Sequence, residues 1–233
     1  MLEACLRDGF AAMGIPADDL ALERFRRYYE ALEETGRHMN LTAIHGEEAV
    51  ARLHFLDSAA PLLRFPLEGK RVIDVGTGAG FPGLPLKILC PSIALTLLDS
   101  LRKRLDFLDG LCRDLGLEDV TLVHGRAEEP GALRERFDVS LSRAVARLNL
   151  LCELCLPYVR VGGVFLAMKG PGAAEELAEA RAAIGCLGGE AEEIFPYDLP
   201  GEETNHNIVV IRKTRPTPAA YPRKFAVMKK SPL

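Results

Sequence analysis

What the chain lacks narrows the field first. None of its apolar runs reaches the ~20 residues that cross a bilayer. Its start, MLEACLRDGF, has no basic region leading into an apolar core, so it does not read as an export signal. Six cysteines (Cys5, Cys90, Cys112, Cys152, Cys155 and Cys186) are scattered, and no second Cys or His pair stands at zinc spacing from the single C-x-x-C. That pair, Cys152 and Cys155, lies in LNLLCELCLPYV, where residues three apart share a helix face. The pattern predicts buried apolar cysteines, since a redox pair sits at a helix N-terminus. Without an export signal, reduced thiols and a cytoplasmic protein without membrane contact are expected.

What is present is ordinary for a soluble globular chain of 233 residues, with 48% hydrophobic and 27% charged residues. The charge is unevenly placed. Net charge is −4, yet from Arg212 to Leu233 there are seven basic residues and no acid, which leaves −11 on residues 1–211. Between Glu175 and Glu203 the only basic residue is Arg181. A basic terminal arm on an acidic body suits phosphate binding, and equally a solvated tail. If the arm grips phosphates, truncation after Ile211 weakens RNA binding and leaves cofactor affinity nearly unchanged.

Residues 1–64 read as a helical extension. Leu22, Phe25, Tyr29 and Leu32 form one stripe, Asp18 or Asp19 offers a cap and Gly36 a stop; a further helix is expected over 47–63. From residue 71 the pattern alternates. Strands are expected at 72–75, 95–98, 120–124, 139–142, 164–168, 192–198 and 207–212, with helices at 83–90, 101–115, 148–159 and 173–184. This predicts an α/β fold with a mostly parallel sheet over 65–215, followed by a basic tail at 216–233.

In such a sheet, ligands bind beyond the carboxyl ends of the strands. The first strand leads into VIDVGTGAGFPGLPLK, where Gly76, Gly78 and Gly80 let backbone N–H groups approach a ligand. Pro82 and Pro85 fit only a first helical turn. No G-K-[ST] follows, which excludes a P-loop. Gly78 to Gly83 matches the dinucleotide pattern G-x-G-x-x-G, with Asp99 placed for a ribose, as in an NAD(P)-dependent oxidoreductase. Asp74 to Gly80 matches D-x-G-x-G-x-G, the first motif of S-adenosyl-L-methionine methyltransferases. Asp74 favours the second reading, because a carboxylate opposes a pyrophosphate and suits an ammonium and a sulfonium. Asp99 can hold ribose hydroxyls, cap the next helix, or both. The Ala127 backbone and the Glu128 side chain are candidates to read an adenine amino edge, unless Glu128 is a solvated loop acid.

DVGTGAGFPGLPLKI, LLDSLRKR, GRAEE, SRA, MKGP, KTRPTPAAYPRK, and the earlier NLTAI and LHFLDS together resemble the glucose-inhibited division protein B family, the bacterial small-subunit rRNA guanine-N7 methyltransferases. The resemblance covers nearly the whole chain. It implies a Rossmann-like, seven-stranded class I methyltransferase fold and methyl transfer to N7 of one guanine in the decoding-region loop of 16S rRNA. The implied cofactor contacts are Gly76, Phe81, Asp99, Ser100, Leu101, Ala127, Glu128 and Arg143, beside Asp74 and Gly78 of the loop. A monomer acting on 16S rRNA or the small ribosomal subunit is expected; a non-catalytic ribosome-assembly factor is the remaining alternative.

Guanine N7 carries a free lone pair, so no general base is expected. Accordingly, the place after the fourth strand reads SRAVA, not [DNS]-P-P-[YFW], and no Pro-Cys nucleophile exists. Arg143 is a candidate for the cofactor carboxylate, the base O6 or a phosphate, or for an ion pair with Asp74 or Glu128. Lys169 is a candidate RNA contact or a surface lysine. His54 and Asp57 are expected to pack the N-terminal helices near the cofactor.

Overall fold

The computed structural model describes residues 1–233. Helices α1 (Leu2–Met13) and α2 (Asp19–Gly36) open the chain. Asp18 caps α2, its carboxylate accepting from Ala21 N at 2.8 Å. The next helical segment is continuous but irregular. It runs from α3 (Glu47–Val50) through a π-helical stretch (Ala51–Leu56) into α4 (Asp57–Ala59) and a 3-10 turn (Ala60–Leu63). The π-helical stretch carries His54, and Asp57 follows it directly.

Seven strands form one sheet: β1 (Arg71–Val75), β2 (Ala94–Asp99), β3 (Val120–His124), β4 (Phe137–Arg143), β5 (Val159–Lys169), β6 (Gly189–Tyr197) and β7 (His206–Lys213). Their order is β3-β2-β1-β4-β5-β7-β6. Only β7 runs antiparallel to its neighbours, β5 and β6. The order reverses between β1 and β4, so the loops after these two strands splay apart and open a crevice. The apolar runs of β1 and β2 are buried almost throughout, as central strands covered on both faces must be.

Between the strands lie α5 (Gly83–Leu89), α6 (Arg102–Asp114), α7 (Leu148–Cys155) and α8 (Ala173–Cys186). On one face, the N-terminal helices share an apolar cluster with α5, α6 and the sheet. Ring contacts run through it from Phe10 to Phe25, Phe25 to Phe55, Phe55 to Tyr28 and Tyr28 to Phe81, with centroids 4.9–5.4 Å apart. Each such pair adds about 0.5–1.5 kcal/mol beyond its area burial. The chain of rings therefore couples α1 and α2 to the glycine loop. The other face carries α7 and α8, with Cys152 and Cys155 wholly buried as expected. A short final helix, α9 (Phe225–Lys230), inserts Met228 into this second cluster. The sequence pattern gave no hint of it.

Candidate active site

The glycine loop is pinned from below and behind. Gly76 N and Thr77 N donate to the Leu98 carbonyl at 2.9 and 3.1 Å. Gly76 has φ 74°, and a Cβ there would meet Val145 Cγ2 at 2.8 Å. A side chain at this position is excluded both by backbone conformation and by space. Asp74 lies beneath the loop, fully buried, and its Oδ2 accepts from Thr77 Oγ1 at 2.7 Å and Gly83 N at 2.9 Å. Burial pushes its pKa up to about 6, against the opposing pull of those two bonds. It does not line the cleft. Asp74 Oδ2 shapes the loop above it, while Oδ1 is buried without a hydrogen-bond partner.

A cleft of about 630 Å³ sits over the carboxyl ends of β1 to β4. Gly76, Gly78 and Phe81 form its floor, and Asp99 and Ser100 one wall. Asp99 performs several tasks at once. Its Oδ1 accepts from Leu101 N at 2.8 Å, and its Oδ2 from Gly78 N at 3.0 Å and Arg104 Nη1 at 3.3 Å. It thus braces the glycine loop and the entry to α6 while still lining the cleft. Leu101 differs from expectation: its side chain is half exposed and outside the cleft, and only its N–H takes part.

Ala127 and Glu128 line the far end. Tyr158 Oη donates to the Ala127 carbonyl at 2.9 Å, fixing that loop. Glu128 is not a solvated acid, for its side chain is 9% exposed and paired with Arg126 at 2.6 Å.

Arg143, at the end of β4, pairs with neither Asp74 nor Glu128. Its Nη1 donates to Asp57 Oδ2 at 2.6 Å and to the Leu53 carbonyl at 3.0 Å. Its Nη2 donates to His54 Nδ1 at 3.0 Å, and the guanidinium lies over Phe81, 5.2 Å from the ring centroid. His54 stacks on the same Phe81 ring at 4.4 Å, and its Nε2 lies 2.6 Å from Thr42 Oγ1. Accepting from Arg143 at Nδ1 requires a neutral ring that donates from Nε2. Burial, then the Arg143 charge, pushes the His54 pKa down to about 3, in agreement.

Asp57 also accepts from Tyr197 Oη at 2.6 Å and lies 3.2 Å from His206 Nδ1. Burial alone would raise its pKa; the bonds from His206, Arg143 and Tyr197 outweigh it and hold Asp57 below the usual carboxylate range. His206 is raised by the same contact. His54 and Arg143 line the cleft, so the helical extension contributes directly to it.

Lys169 is neither a free RNA contact nor a surface lysine. Its Nζ donates to the Ala146 carbonyl at 2.7 Å and Glu176 at 2.8 Å, and only 9% of its side chain is exposed. It therefore braces the loop after β4.

The basic arm is also revised. Arg212 pairs with Glu192, Lys213 is buried against the Leu156 carbonyl and Glu135, Arg215 donates to the Gly185 carbonyl, and Arg223 clasps the buried Glu153. Lys224, Lys229 and Lys230 stay exposed with neither an ion pair nor a side-chain hydrogen bond, whereas the exposed Arg215 is held only by the Gly185 carbonyl. Phe225, between them and the body, lines the cleft beside Leu154.

Residues 21–200 match the family described as GidB, rRNA small subunit methyltransferase G. A ribosomal RNA small subunit methyltransferase G of Lactobacillus johnsonii is 47% identical over 229 residues, 96% of each chain. That of Alkaliphilus oremlandii is 48% identical over 237 residues, covering 100% of this chain and 99% of its own. The chain belongs to the rRNA small subunit methyltransferase G family. Membership sets aside the dinucleotide reading of Gly78 to Gly83. Solved structures agree on the class I methyltransferase fold. YcgJ of Bacillus subtilis superposes with a TM-score of 0.54 at 14% identity, over 70% of this chain and all of its own. Aeropyrum pernix fibrillarin, solved with natively bound S-adenosyl-L-methionine, gives 0.50 at 16% identity, over 67% and 73%.

For this member of the rRNA small subunit methyltransferase G family, sequence reasoning missed Thr42, Val145, Tyr197, His206 and Phe225. Thr42 stands in NLTAI and was within reach of a motif argument. Tyr197 and His206 were not, because they meet Asp57 only through the antiparallel pairing of β6 with β7.

Proposed function

We infer that the protein transfers a methyl group from S-adenosyl-L-methionine to small-subunit rRNA, and that the acceptor is N7 of one guanine in the decoding-region loop. The observation that carries this reading is the shared cleft. It joins a side-chain-free glycine floor to Asp99 at one wall and to Glu128 at its end, and it opens at β4 beside Arg143. Those groups fit the cofactor. A Cβ at Gly76 would fill the floor against Val145, and the Asp99 carboxylate suits a pair of ribose hydroxyls. Glu128 and the Ala127 backbone suit the adenine amino edge, which leaves the methionyl end between Gly76 and Arg143.

Bound there, S-adenosyl-L-methionine supplies a methyl group activated by a sulfonium. The guanine N7 lone pair forms the new N–C bond as the methyl carbon's bond to sulfur breaks, and the positive charge passes from sulfur to the purine. No proton moves first, so no side chain serves as general base. The chain's part is alignment, which supplies up to ~7–11 kcal/mol when the reacting atoms are held in line. Phe81, stacked between His54, Tyr28 and the Arg143 guanidinium, makes that floor rigid.

On this reading residues 1–64 form a helical extension that completes the cleft, 65–215 the methyltransferase domain, and 216–233 a basic tail. The protein acts as a monomer in the cytoplasm. Its large exposed apolar residues, among them Leu20, Val161 and Val227, are scattered along the chain, which supports a monomer. No helix is long and apolar enough to cross a membrane. Calorimetric titration with S-adenosyl-L-methionine and its demethylated product tests the reading. Saturable binding of both is expected, together with methylation of 30S particles; absence of binding would overturn it.

A further inference from the structure

A second cavity, of about 490 Å³, adjoins the cofactor cleft. Arg143, Ala144 and Val145 line both, so the two spaces meet across the loop after β4. The sheet explains their order. The first cleft stands over the ends of β1 to β4. The second stands over the ends of β4 and β5 and is closed by Tyr197 at the end of β6 and His206 at the start of β7. On the cofactor placement proposed above, with the ribose at Asp99 and the adenine at Glu128, the methionyl end would lie on the β4 side, beside the residues the two cavities share. The second cavity is then the space from which an acceptor would reach it.

The walls of that cavity suit a purine. Val145, 41% exposed, lies with Ala144, Ala146 and Met168 and offers apolar surface to a flat ring. Among the polar groups, Glu176 is set apart by its bonding. Its Oε2 accepts from Leu148 N at 2.7 Å and from Lys169 Nζ at 2.8 Å, which leaves Oε1 as a free acceptor. The two bonds fix the carboxylate in one orientation before any base arrives.

We propose that this cavity receives the target guanine and that Glu176 reads its Watson–Crick edge. This rests on the guanine-N7 reading above. Of the four bases, only guanine presents two adjacent donors there, N1–H and the 2-amino group, and the free Oε1 of Glu176, with two lone pairs, can accept from both. Adenine brings its N1 lone pair against the same carboxylate and is repelled. N7 lies on the opposite edge of the purine, so a guanine held by Glu176 presents N7 toward the cofactor cleft. Lys169 acts through Glu176 as a positioning residue.

The test uses the full chain and 30S particles reconstituted with rRNA carrying guanosine or inosine at the methylated position. Inosine keeps N7 and lacks only the 2-amino group. For the unaltered protein, kcat/KM on inosine should fall about 10- to 100-fold below guanosine, the cost of one hydrogen bond to a charged group. In Glu176→Ala this penalty should shrink to about 2-fold or less, with cofactor affinity by titration unchanged. Glu176→Gln, which keeps an acceptor for Leu148 N–H, should behave likewise and covers the case in which the alanine variant does not fold. An inosine penalty absent from the unaltered protein, or undiminished in the folded variants, overturns the proposal. Failure of the unaltered protein to methylate guanosine particles instead overturns the reading beneath it.

Discussion

Arg143 and Asp57 are 86 residues apart in sequence and 2.6 Å apart in space. Their side chains are 14% and 9% exposed, and the pair ties the end of β4 to the N-terminal helices. Losing one member of such a pair leaves the other buried without its counter-charge, which costs about 3–5 kcal/mol. Asp57→Ala also strips Tyr197 and His206 of their shared acceptor. Urea unfolding of this variant should show a loss of that size with an unchanged denaturant slope. A loss below about 1 kcal/mol would contradict the role given to the pair.

Stability should depend on pH through His54. Its pKa is depressed to about 3 in the folded protein, against about 6.5 unfolded. The unfolded chain therefore takes up a proton first as pH falls. The contribution of neutral His54 is fully present above about 6.5 and is lost progressively down to about 3. Asp74 works in the opposite sense. Raised to about 6, it favours the folded state below the usual carboxylate range, and that contribution is lost as pH rises through about 6. His54→Gln removes only the first effect. Between pH 7.5 and 4.5 the unaltered protein should lose about 2–3 kcal/mol more than this variant. Parallel unfolding curves for the two would count against a neutral, buried His54.

The tail should affect the two ligands separately. Phe225 lines the cleft and is held there by Met228 and by the Arg223–Glu153 pair. Phe225→Ala should weaken cofactor binding about 5- to 30-fold, in line with losing a part-buried aromatic contact. Replacing Lys224, Lys229 and Lys230 by alanine should leave cofactor affinity unchanged and lower the salt slope of RNA binding by about 2–3. The reverse assignment, with Phe225 silent toward the cofactor, would return the segment to a solvated tail.

The sheet and the glycine loop were legible because their signals are local. Short apolar runs, spaced glycines and strand-end acids fall within a few residues of one another, and the strands at 72–75 and 120–124 lie where the pattern put them. The partners of Arg143 were not legible. Asp57 and Leu53 reach it from a helix some 90 residues earlier, and the sequence offered the nearer acids Asp74 and Glu128 instead. Lys169 misled for the same reason: its acceptors, the Ala146 carbonyl and Glu176, are set by how the loop after β4 and α8 fold over β5. The tail looked like a free cationic arm because four of its seven basic residues find partners only in the folded body.

The central claim is that this glycine cradle serves methyl transfer to a guanine of small-subunit rRNA. Its most direct test is a mass map of modified guanines in that rRNA from cells lacking the gene, complemented with the unaltered protein or with Gly76→Val. Valine cannot enter the φ 74° position without striking Val145. One N7-methylguanine in the decoding-region loop should disappear without the gene, return with the unaltered protein and stay absent with Gly76→Val. A mark that persists without the gene, or that Gly76→Val restores in full, would contradict the account.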